Sequence, residues 1–173
     1  MSVNSLAEFM RVSPLLTRAW WIGAVSTIAL SLMMLPHLEG YNILALQFSF
    51  SQEQFLTVLS GMTAEQQHGF GMHYRYDFAY PVAYGLWMSC TVAWLLDRAE
   101  GSDLLNAVVY FPMLAALFDL LENSFIVPYA LDFTQVTDTA VYWQSVNASL
   151  KYGLLGIAAL IMLSLVPKAF KKG

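Results

Sequence analysis

The 173-residue chain is 58% hydrophobic and only 12% charged, with a mean hydropathy of +0.55, far from the roughly 45–50% apolar and roughly 25% charged balance of soluble domains. This composition excludes an ordinary soluble domain and indicates an all-α, polytopic membrane four-helix bundle forming a single domain. Eight basic residues against twelve acidic ones give a formal charge of −4, which excludes the basic footprint of a nucleic-acid partner.

From the N-terminus, Glu8 precedes any apolar run and the first run is long enough to span a bilayer, so a retained helix is expected rather than a cleaved signal. Ser13-Pro14 is a helix start and Pro36 a stop, which predicts a first span over about 14–35. Trp20 and Trp21 suit the membrane interface, and Arg18 can snorkel to the near surface. The segment at about 37–75 is too apolar for a floppy loop, carrying Ile43, Leu44, Leu46, Phe48, Phe55 and Leu59. Ser51 with Gln54 and Thr63 with Gln66 spell capping boxes, predicting short interfacial helices near Ser51–Leu59 and Thr63–His68 in an outer cap. Further spans are expected over about 76–96, 102–127 and 138–166, with Ser102 and Asp138 as N-caps and Pro128 and Pro167 as stops. Cys90 is the single cysteine, so no internal disulfide or paired-thiol chemistry is available.

If the spans alternate, Arg11, Arg18, Arg98, Lys168, Lys171 and Lys172 fall on one side and Arg75 on the other. The positive-inside rule then places both termini in the cytoplasm, and the cap outward, in a bacterial inner membrane.

Three spans carry a polar face. Asp77, Tyr80, Pro81 and Tyr84 share helical spacing on the second, Asp119, Glu122 and Asn123 on the third, and Gln144, Asn147 and Lys151 on the fourth. Tyr84, Asp119 and Lys151 all lie about eight residues, roughly 12 Å, below the outer surface, so Asp119 and Lys151 are predicted to meet at the base of an outward-opening funnel. Intramembrane charges are costly, which makes Asp77, Tyr84, Asp119, Glu122, Asn123, Asn147 and Lys151 the candidates for a ligand or proton site. Three carboxylates facing one lysine cannot all stay ionised cheaply, so a shared proton, with Glu122 its expected holder, or a bound cation is required. The same polar groups would equally serve to fix the register of the bundle by hydrogen bonding across it.

His37, His68 and His73 fall on the outer side and with Asp77 offer enough ligands for zinc, but their spacing matches no metal motif, so neither metal nor cofactor is expected. The aromatic residues around the second span suit an interfacial belt or an apolar ligand pocket. Ser149, Gly153 and Gly156 permit close approach of another helix.

The patterns Asp77…Pro81…Tyr84-Gly85-Leu86 and Leu117-Phe118-Asp119-Leu120-Leu121-Glu122-Asn123, followed by a lysine in the last span, resemble a group of small bacterial four-span membrane proteins. The resemblance covers the second through fourth spans and implies a bacterial origin without implying an activity. Three functions follow as expectations: an outward-facing buried polar site for a small molecule, lipid headgroup or proton; a non-catalytic accessory or assembly subunit of a larger membrane complex; or a membrane enzyme using carboxylate acid/base groups. No nucleophile is evident for the third. Expected partners are the lipid bilayer, other membrane subunits and a small apolar ligand or lipid.

Overall fold

The computed structural model describes residues 14–99 and 103–171, which are helical with no strand among them. In chain order these form α1 (Pro14–Met34), α2 (Ile43–Gln47), α3 (Gln52–Ser60), α4 (Ala64–Asp77), α5 (Tyr80–Arg98), α6 (Phe111–Ile126) and α7 (Asp138–Phe170). Tighter 3-10 turns occupy Leu35–His37, Asp103–Tyr110, Val127–Tyr129 and Phe133–Gln135. By length and composition, Thr17–His37, Leu105–Tyr129 and Asp138–Phe170 are able to cross a membrane, and α4 with α5 adds a fourth crossing if that bent pair is one span.

Capping chemistry sets most helix starts. Asn42, Ser51 and Thr63 accept hydrogen bonds from Ala45, Gln54 and Gln66 at the heads of α2, α3 and α4, and Gln66 returns the bond to complete a capping box with Thr63. The helix expected near Ser51–Leu59 is α3, whereas the one expected to stop at His68 runs on to Asp77. Thr137, rather than Asp138, caps α7, and the Asp138 carboxylate instead accepts the Gln52 N–H at 2.9 Å, tying α3 to α7. Pro167 does not stop α7, which continues to Phe170, because a proline this close to the end forfeits few hydrogen bonds. The third apolar run starts as a 3-10 turn and becomes α-helical at Phe111, with Pro112 in the first turn, where its missing N–H costs nothing. The caps expected at Ser13 and Ser102, and the charges of Glu8, Arg11 and Lys172, lie outside the described residues.

The stretch expected as the second span is interrupted near its start. α4 ends at Asp77, α5 begins at Tyr80, and the two axes differ by 53°. Pro81 has no N–H to offer the Asp77 carbonyl four residues earlier, and its ring crowds that carbonyl. The Asn123 side chain supplies the missing donor, bonding the Asp77 carbonyl at 2.8 Å. Asp77 and Tyr84 therefore belong to different helices and share no continuous face, contrary to the sequence expectation.

Glycines permit the close contacts of the bundle. A Cβ at Gly23 would sit 2.9 Å from the Trp87 amide nitrogen, and one at Gly85 would sit 2.9 Å from the Ala116 Cβ, which brings α1 onto α5 and α5 onto α6. The Trp20 indole donates to the Thr91 hydroxyl at 3.0 Å across the first of these contacts. Two apolar clusters result. One seals the cap onto α6 and α7 through Leu46, Phe55, Phe70, Tyr74, Ile126 and Val141. The other holds the opposite end through Val92, Leu96, Val108, Ala158 and Leu165. The polar stripes of α6 and α7 fall between them in sequence, while Trp21, Ile22, Ile28, Leu32, Leu160 and Leu163 remain exposed on the outside.

Candidate functional site

Three helices and one cap segment converge on the Lys151 ammonium. From α7 it donates to Asp119 Oδ1 at 3.0 Å and lies 2.6 Å from Glu122 Oε2, both on α6 and three residues apart on one helical face. The Tyr84 hydroxyl, from α5, donates to the other Asp119 oxygen at 3.0 Å. Tyr84, Asp119, Glu122, Asn123, Asn147 and Lys151 are all buried. The lysine is also 4.7 Å from the Tyr152 ring centroid, where the aromatic face favours the cation.

The cap closes this centre with a residue that the sequence reading did not select. Gln47, the last residue of α2, donates from Nε2 to Glu122 Oε1 at 2.6 Å, and its Oε1 accepts the Tyr152 hydroxyl at 2.9 Å. A connected chain thus runs Tyr84, Asp119, Lys151, Glu122, Gln47, Tyr152. The Gln144 amide, wholly buried, donates to the Leu46 carbonyl at 3.4 Å, and its own Oε1 has no hydrogen-bond partner. The apolar residues around Gln47 marked its segment as ordered, but Gln47 itself carries no local motif that points to Glu122 or Tyr152. Tyr152 neighbours Lys151 in sequence, and that adjacency was its one available signal.

Other candidates sit elsewhere. Asn123 serves the broken backbone at Asp77. Asn147 turns its amide onto the Trp143 carbonyl of its own helix at 2.7 Å. The Asp77 carboxylate faces His73 Nε2 at 3.8 Å. His73 Nδ1 donates to the Phe70 carbonyl, which leaves Nε2 toward the carboxylate. The histidines do not converge: His37 stacks on Tyr76, His68 is exposed and His73 is buried. Among the described residues, no group of three or more His, Cys, Asp or Glu side chains is placed to hold a metal ion.

Chemically, the centre is an ammonium bridging two carboxylates, with a third carboxylate beside a histidine nearby and a neutral amide closing it from the 37–75 segment. It can hold a charge or a proton away from water. No family model, curated protein or solved structure matches the chain.

Proposed function

We propose that this is a four-span protein of a bacterial inner membrane, with cytoplasmic termini and an outward cap, whose buried polar centre binds an exchangeable proton beneath the first-loop lid. The observation that carries the proposal is the single Lys151 ammonium shared by Asp119 and Glu122 at 3.0 and 2.6 Å. With Asp77 beside His73, three carboxylates lie in and next to a centre that holds one lysine, and burying an uncompensated carboxylate costs far more than taking up a proton. Protons have two local seats, the Glu122–Lys151–Asp119 group and the Asp77–His73 pair. The hydrogen-bonded chain through Gln47 to the hydroxyl of Tyr152, a residue that is itself partly exposed, supports a connection to the surface of the bundle.

Infrared difference spectroscopy of the reconstituted chain tests this directly. A carboxylic C=O band should appear and disappear with pH and vanish in Glu122→Gln. A band absent at every pH, or unaltered by Glu122→Gln, Asp119→Asn and Asp77→Asn alike, refutes the proton site. A cysteine reporter at Gly173 should be labelled only from the cytoplasmic side, and labelling from outside intact cells overturns the orientation.

A second reading, that of an accessory subunit, has its own observation. A Cβ placed at Gly153 or Gly156 meets nothing within 4 Å, so this stretch of α7 is open to another helix. Gly153→Leu and Gly156→Leu should then release a co-purifying membrane protein while leaving the fold intact. Unchanged co-purification, or none from the wild type, refutes that reading.

A further inference from the structure

The contacts of Gln47 resemble those of a ligand more than those of a structural residue. Its carboxamide is held by a carboxylate on one side, Glu122 Oε1 at 2.6 Å, and by a phenol on the other, Tyr152 at 2.9 Å. It reaches this seat from a helix of only five residues. Three residues on, Phe50 takes a φ of +49°, in the left-handed region that non-glycine residues enter only under constraint. The Phe50 N–H bonds the Ser145 hydroxyl at 3.1 Å, which pins the strained turn to α7. The turn that follows Gln47 is therefore held in a conformation that its contact with α7 maintains against the intrinsic preference of the backbone.

The seat also shows what it would accept in place of the amide. Gln144, 0% exposed, presents an unpartnered Oε1 while its amide nitrogen bonds the Leu46 carbonyl next to Gln47. An orphaned buried acceptor is unsatisfied until a donor arrives. Glu122 adds a second acceptor, and the carboxylate excess around Lys151 favours a positive charge. Tyr152 supplies a donor. Its ring lies 5.6 Å from that of Phe48, and both are 39% exposed, so the seat is one side chain away from the outer surface of the bundle.

We propose that the seat now filled by the Gln47 carboxamide is a binding site for a primary ammonium that carries an oxygen acceptor on the next carbon but one, the 2-aminoethyl-oxygen group. Its N–H groups would donate to Glu122 Oε1 and Gln144 Oε1, and its oxygen would accept from Tyr152. Gln47 acts there as an internal competitor. The proposal rests on the reading of the centre as an under-neutralised carboxylate site and names a ligand for it. Free 2-aminoethanol and an ethanolamine lipid headgroup share this chemistry.

The test uses the full chain in phosphatidylcholine nanodiscs, titrated with 2-aminoethanol and, separately, with tetramethylammonium, which has the charge without the donors. Binding is read by calorimetry and by the shift in Tm. 2-Aminoethanol should bind and tetramethylammonium should not. Gln47→Ala should tighten binding tenfold or more, and adding Glu122→Gln should abolish it. Should Gln47→Ala fail to fold, Gln47→Ser, which also vacates the seat, is read in the same way. Phosphatidylethanolamine nanodiscs distinguish the sources: raised Tm with weaker uptake of added 2-aminoethanol assigns the lipid headgroup, and unchanged behaviour assigns the free amine. Equal binding of tetramethylammonium, or affinity unchanged on removing the Gln47 amide, overturns the proposal. In that event the Glu122-dependent infrared band still decides the proton site independently.

Discussion

Replacing Lys151 by methionine is the severest single test of the buried centre. At an effective dielectric of about 20, charges 3.0 and 2.6 Å apart attract by about 5.5 and about 6.4 kcal/mol, before the cost of desolvating them. That cost is several kcal/mol per ion and cancels much of the attraction, but it is not recovered when only one partner is removed. Lys151→Met leaves two buried carboxylates without their ammonium and should cost about 3–5 kcal/mol. The double variant Asp119→Asn/Lys151→Met should be less destabilised than the sum of its singles by about 1–3 kcal/mol. Glu122→Gln/Lys151→Met should recover at least as much, since Glu122 lies nearer the ammonium. Neither double should recover everything, because the lysine bridges both acids, whereas the triple variant removes every formal charge of the bridge. Detergent unfolding followed by circular dichroism measures the cycle. Additivity within about 0.5 kcal/mol would show that the three groups do not interact and would refute the reasoning. If stability returns in the doubles and triple while cellular function does not, the charges serve more than register.

Further outcomes follow from the backbone and the cap. Asn123→Ala strips the Asp77 carbonyl of its donor and should cost about 1–3 kcal/mol. The same change in a Pro81→Ala background should cost less, because residue 81 then has an N–H of its own to offer, and equal costs in both backgrounds would exclude this account of the break. Gly71→Ala should destabilise by about 1–3 kcal/mol, since its Cβ would lie 2.5 Å from the Ala130 carbonyl oxygen. Gly153→Ala, with open space around it, should instead stabilise α7 by roughly 0.5–1 kcal/mol, and thermal unfolding of the pair separates the two cases. Burial raises the Tyr41 hydroxyl above its ordinary range, and that hydroxyl donates to the His37 carbonyl at 3.1 Å. A folded value above the unfolded one means that its contribution is complete below about pH 10 and is lost as the pH rises through the folded value. The protection of the cap amides, measured relative to the base-catalysed intrinsic exchange rate, should therefore fall at alkaline pH in the wild type, and Tyr41→Phe should remove that fall.

Helix content, the apolar runs and several helix starts were legible in the sequence because their causes are local. A hydroxyl three residues before a glutamine caps a helix wherever it falls, as at Thr63 and Gln66, and run length decides what can cross a bilayer. The meeting of Asp119 with Lys151 was also legible, since equal depth in antiparallel helices follows from rise per residue. The broken span was not. A proline can kink a helix or begin one, and at Pro81 the choice is settled by Asn123, more than forty residues away, satisfying the freed Asp77 carbonyl. The same limit hid the residue by which the cap reaches the centre: Gln47 meets Glu122 and Tyr152 across 75 and 105 residues of chain, distances that no local pattern encodes. Asn147 shows the converse, a residue on the expected face whose amide bonds its own helix. Periodicity assigns a side chain to a face, but only packing in three dimensions decides which partner it finds there.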